Sequence, residues 1–158
     1  MNQRPTPSGS EIRDRRLLFL LNRAQRTVMA YAGAGLDAHL GISVAHLTAL
    51  MYVAKHDGCS MTELADLLDL NKSAVTGLVQ RMERAGTLRR VPNPEDGRGS
   101  LLHVTPKGEA LKDRARPLLR RLNGELTEGF TDAEIDVVLR YLNAIVFRMS
   151  RPPEKEQP

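Results

Sequence analysis

The chain has 158 residues, 41% of them hydrophobic, which is the size of one domain with enough apolar content for a core. Its lone cysteine, Cys59, excludes an intramolecular disulfide, and no CxxC pair suggests a structural zinc site, so a reducing, cytoplasmic setting is the default expectation. The net charge of +4 falls between residues 71 and 107, where seven basic side chains meet three acidic ones, while residues 1–70 and 108–158 are each neutral. A basic excess confined to one segment is the electrostatic footprint of a phosphate-binding surface.

No apolar run is long enough to span a membrane. Arg13, Arg15 and Arg16 precede Leu17 to Leu21, but five apolar residues are too few for a signal-peptide core. Residues 1–9, polar with Pro5, Pro7 and Gly9, are expected to form a flexible arm, and residues 151–158 a flexible tail.

In chain order, helical periodicity runs from Ser10 to about Ala32, with Leu17, Leu21, Ala24, Val28 and Tyr31 on one stripe and Gly33 and Gly35 as the stop. After a loop carrying Leu36 and Leu40, Ser43 caps a second helix that buries Leu47, Leu50, Met51 and Ala54 and ends before Gly58. Ser60 and Glu63 form a capping box for a short third helix, packed inward by Leu64, Leu67 and Leu68. Asp69-Leu70-Asn71 turns the chain, and Asn71 caps a fourth helix with Val75, Leu78, Val79 and Met82 at the i, i+3, i+4 and i+7 spacing of a core face.

The opposite face of this fourth helix carries Lys72, Ser73, Thr76, Gly77, Gln80, Arg81 and Arg84, and Asn71 stands at its head. Side chains of these types near a helix N-terminus can reach base edges in a major groove. Gly77 costs an exposed helix about 1 kcal/mol relative to Ala, which makes sense where backbone approaches DNA closely. A hairpin follows, joining Leu88–Val91 to Leu101–Val104 through a loop of turn formers. Its tip presents Arg98, whose guanidinium suits a narrow minor groove, and Arg89 and Arg90 would lie near phosphates. Residues 71–107 hold no Phe, Tyr or Trp, so stacking platforms for single strands are missing and duplex DNA is favoured.

Thr105 and Pro106 open a fifth helix running towards Gly124 or Gly129, with a kink expected at Pro117. Thr131 and Glu134 form a second capping box. The last helix then carries Ile135, Val138, Leu139, Leu142, Ile145, Val146 and Met149, a stripe predicted to form a dimer interface. Two-fold symmetry would then imply a pseudo-palindromic site with half-sites about 10 bp apart.

The segments Glu63-Leu64-Ala65, Val75-Thr76, Leu78-Val79 and Glu83-Arg84-Ala85-Gly86, with Asp96-Gly97-Arg98 ahead of Val104-Thr105 and Gly108, resemble the MarR family of bacterial transcriptional regulators. Val104 departs mildly from the Leu commoner in that wing signature. The resemblance covers roughly Ser10 to Ser150. It implies a mainly α (α+β) fold: a winged helix-turn-helix lobe with a two-stranded β wing over residues 36–108, flanked by dimerisation helices over 10–33 and 106–150. Arg98 would be the minor-groove arginine and Asp96 would hold the wing in shape. Leu17, Leu21 and Val28 would join the last helix in a homodimer. A repressor released from its operator by a small aromatic or phenolic ligand is the expected function, with Arg16, Tyr31, His39 and His46 as candidate lining of the ligand cleft. A redox- or metal-responsive regulator and a winged-helix protein-interaction module are the alternatives. No catalytic motif occurs and the four histidines do not repeat at ligand spacing, so neither enzyme activity, cofactor nor metal is expected.

Overall fold

The computed structural model describes residues 16–94 and 99–150. Helices α1 (Leu17–Leu40) and α2 (Val44–Lys55) precede a two-residue strand β1 (Cys59–Ser60), then α3 (Met61–Leu68) and α4 (Lys72–Arg84). The hairpin β2 (Leu88–Pro92) and β3 (Ser100–Val104) leads into α5 (Pro106–Thr127) and α6 (Asp132–Met149). The arm, Ser10–Arg15 and the tail lie outside the described residues.

Local chemistry sets most helix starts. Ser43, Ser60, Asn71, Thr105 and Thr131 each accept a backbone N–H from three residues ahead, and Ser60 and Thr131 form complete capping boxes with Glu63 and Glu134. Those amide hydrogen bonds hold both glutamates below the usual carboxylate range. Between α3 and α4, Asp69 adopts a left-handed conformation, φ 50°, which makes the tight turn of the helix-turn-helix.

The first helix ends later than its glycines suggest. It continues through Gly33 and Gly35 and stops at Gly41, φ 66°, because only there is the left-handed cap formed. Leu36, expected in a loop, is therefore a buried residue of α1. Pro117 lies within an unbroken α5, and that helix passes Gly124.

The core gathers around α2, α4 and β3: Leu50, Val53, Leu64, Val79, Met82 and Leu102 are fully buried. All four expected core positions of α4 are buried. On α2 the buried face is rotated, with Ala49 and Val53 at 0% exposure and Met51 at 50%. Met51 instead lines a groove beside Lys112 and Arg116 of α5. Leu67, expected to pack inward, is 47% exposed, while Leu64 and the small Ala65 make the α3 contact.

Strand β3 is the centre of a three-stranded antiparallel sheet, ordered β1-β3-β2. Ser60 pairs with Leu101 and Cys59 with Leu102 on one side; Leu88 to Pro92 pair with Val104 to Ser100 on the other. The wing thus has a third strand that two residues of sequence did not announce. Among the described residues no single helix is long and apolar enough to cross a membrane.

Candidate nucleic-acid interface

Helix α4 begins where Asn71 Oδ1 accepts the Ala74 amide at 2.9 Å. Burial of Val75, Leu78, Val79 and Met82 fixes its rotation, so Lys72, Ser73, Gln80, Arg81 and Arg84 are exposed and Thr76 and Gly77 half-buried. The Thr76 hydroxyl donates to the Lys72 carbonyl at 2.7 Å, leaving its oxygen as an acceptor. A Cβ on Gly77 would meet only the tip of Arg81, at 3.4 Å. Nothing in the packing of the described residues therefore requires glycine there.

Beside α4, β2 sends alternate residues to opposite faces. Arg89 is exposed, faces across to His103 in the register, and has no ion pair among the described residues. Arg90 turns the other way, and its guanidinium lies 2.7 Å from the Glu83 carboxylate of α4. A cleft of about 680 Å³ separates α3 and the α4 N-terminus from the wing base, lined by Thr62, Lys72, Thr76, Arg90, Asn93 and Ser100. Asp96 and Arg98 lie outside the described residues.

The hairpin is anchored to the core at its other end. Thr105 donates to the Gly86 carbonyl at 2.6 Å while accepting the Gly108 amide at 3.1 Å, so one hydroxyl joins the α4 terminus to the start of α5. Thr87 donates to the Met82 carbonyl, also at 3.1 Å, and accepts from His46 Nε2 at the same distance. Burial, and then the nearby Arg81 charge, lower the pKa of His46.

The four residues suggested for a ligand cleft do not converge. Tyr31 and His39 line a cavity of about 200 Å³ between α1 and α5, where the Tyr31 hydroxyl donates to Glu125 at 2.6 Å. Arg16 lines no described cavity, and His46 lines a separate cleft of about 550 Å³ between the α1–α2 junction, α4 and α5. There it meets Arg81, Lys107 and Arg114, none of which was expected at this position. The i, i+4, i+7 spacing of Lys107, Leu111 and Arg114 on α5 was the available signal.

Cys59 is buried in β1, and burial with the Glu63 charge pushes its thiol up to about 11. At the other extreme, α6 has no buried residue: Val138, Leu139, Leu142, Val146 and Met149 are 40–74% exposed, and Ile135 and Ile145 are only half-covered. On α1, Leu17 is 54% exposed and Leu21 and Val28 are half-covered.

A family model described as MarR family matches residues 40–99, which contain α2 to β2. The chain is 25% identical over 96 residues to the HTH-type transcriptional regulator BilQ of Clostridioides difficile, an alignment covering 61% of this chain and 65% of that protein's length. It is 33% identical over 106 residues to the transcriptional activatory protein BadR of Rhodopseudomonas palustris, covering 66% and 61%. A crystal structure of a mutant MarR from E. coli complexed with operator DNA matches with a TM-score of 0.70 at 25% identity, over 82% of this chain and 95% of that one. The fold, the helix-turn-helix with its wing and these likenesses agree: the chain carries a MarR-family match, and its relatives and structural neighbours are MarR-family winged helix-turn-helix transcriptional regulators.

Proposed function

We propose that the protein is a dimeric, sequence-specific duplex-DNA-binding regulator of the cytoplasm, acting as a repressor that a small aromatic or phenolic acid releases from a pseudo-palindromic operator. The observation that carries this reading is α4 itself, whose core face is buried at 0–3% exposure while Ser73, Gln80, Arg81 and Arg84 stand exposed beside the wing. The operator complex of the E. coli relative supports the same use of the fold. In the reading, α4 contacts bases, Arg89 contacts phosphate and Arg98 enters the minor groove.

Dimerisation is favoured by the uncovered apolar stripe of α6 together with that of α1. An effector suits the cleft holding His46, Arg81, Lys107 and Arg114, where three permanent cations meet the apolar Leu40, Ile42, Leu78 and Leu111. Arg81 belongs to both this cleft and the exposed face of α4. A carboxylate drawn to it would compete with DNA for one charge, which supplies the differential affinity that release requires.

Selection of bound duplexes from a random pool tests the reading. Two related half-sites about 10 bp apart are expected. Absence of duplex binding would favour a protein-interaction module, and half-sites without a two-fold relation would remove the dimer from the reading.

A further inference from the structure

Glu83 is the only acidic residue between Asn71 and Pro94, the segment that holds α4 and the first strand of the wing. Two electrostatic terms oppose it. A carboxylate in the last turn of a helix meets the negative end of the helix dipole, and one beside a DNA-facing surface repels phosphate. Neither helix stability nor DNA affinity accounts for its presence.

Its geometry does. The Glu83 carboxylate lies 2.7 Å from the guanidinium of Arg90, with both side chains partly shielded, at 27% and 35% exposure respectively. Arg90 sits on the sheet face shared with Leu88 and opposite the fully buried Leu102, so its stem leaves the core just where β2 passes α4. Without its partner it would add a cation to a cleft that already holds Lys72. The adjacent Arg89 points to the other face and has no ion pair among the described residues.

We propose that Glu83 is a specificity-determining residue of the DNA interface: by pairing with Arg90 across the α4–β2 junction, it withholds that guanidinium from phosphate and ties the wing to the reading helix. The inference rests on the DNA-binding reading above. Its consequence is that the interface spends its phosphate contacts on Arg89 and the α4 cations, while Arg90 contributes orientation and no sequence-independent affinity.

The test compares the selected operator duplex with a random-sequence duplex over a salt series for the wild-type protein, Glu83→Gln, Arg90→Gln and the double variant, with thermal unfolding of each. Glu83→Gln keeps an acceptor for Arg90 but removes the opposing charge. It is expected to steepen the random-duplex salt dependence by about one unit and raise that affinity roughly fivefold to tenfold at 0.1 M salt. The operator-to-random ratio should narrow. Arg90→Gln should leave the slope unchanged, and the double variant should match it. An unaltered slope in Glu83→Gln, or a slope one unit shallower in Arg90→Gln, overturns the inference while leaving duplex recognition intact. A wild-type protein that binds neither duplex overturns both. Loss of affinity in Glu83→Gln in proportion to a lowered melting temperature would mark the pair as structural only and also overturn it.

Discussion

Gly108 packs so tightly against Thr87 that a Cβ at position 108 would overlap the Thr87 carbonyl oxygen and stand 2.7 Å from Val104 Cγ1. The first obstacle is backbone and cannot turn aside. Gly108→Ala should therefore destabilise the fold by about 1–3 kcal/mol, the usual cost of overpacking. Denaturant unfolding checks this, and an unchanged midpoint would show that β3 and α5 can part at that point.

Gly77 is predicted to behave in the opposite way. Its only near neighbour would be the flexible tip of Arg81, so Gly77→Ala should stabilise the helix by about 0.5–1 kcal/mol. Operator affinity should fall in the same variant, since the added methyl would stand on the surface proposed to face DNA. A variant more stable and equally tight in binding would remove close backbone approach as the reason for the glycine.

His46 makes stability pH-dependent. Its pKa is lowered from 6.5 by burial and by Arg81, so the unfolded chain takes up a proton more readily than the folded one. The contribution is complete above pH 6.5 and is lost as pH falls through the folded value. Wild-type protein should thus lose stability from pH 7.5 to 5.5 by more than His46→Gln, which can still donate to Thr87. Parallel urea-unfolding curves for the two across that range would contradict the assignment.

Cys59 should be inert while the protein is folded. With the thiol pushed up to about 11, thiolate at pH 8 is about one part in a thousand, and the side chain is buried as well. Alkylation by iodoacetamide is expected to be slow until denaturant is added, and Cys59→Ser should bind operator normally with or without peroxide. Peroxide-induced release that disappears in Cys59→Ser would restore the redox alternative.

Leu142→Glu tests the dimer without touching the core of the chain, because Leu142 is 40% exposed and belongs to the uncovered face of α6. Sedimentation at micromolar concentration should shift from dimer to monomer. The same sedimentation coefficient in both proteins would exclude α6 from the contact.

The parts of this architecture that sequence announced are those decided within a few residues. The caps at Ser43, Ser60, Asn71, Thr105 and Thr131 need only a hydroxyl or amide three residues ahead of an amide, and α4 needs only its four apolar positions. The misplaced features depend on what the chain meets later. Gly33 and Gly35 are tolerated inside α1 because a helical glycine costs only about 1 kcal/mol; which glycine becomes left-handed is settled by the turn into α2. Met51, expected in the core, is half exposed and Val53 is buried because α2 is flanked by α5 as well as by the winged lobe. The joining of His46, Arg81, Lys107 and Arg114, drawn from three helices, is likewise a property of packing.

Ser60 is both a strand residue, paired with Leu101, and the cap of α3, where it accepts the Glu63 amide at 3.2 Å. One residue is therefore the common origin from which the wing and the helix-turn-helix are measured. Because β3 pairs with β1 on one side and β2 on the other, the position of the wing strands is set relative to the start of α3.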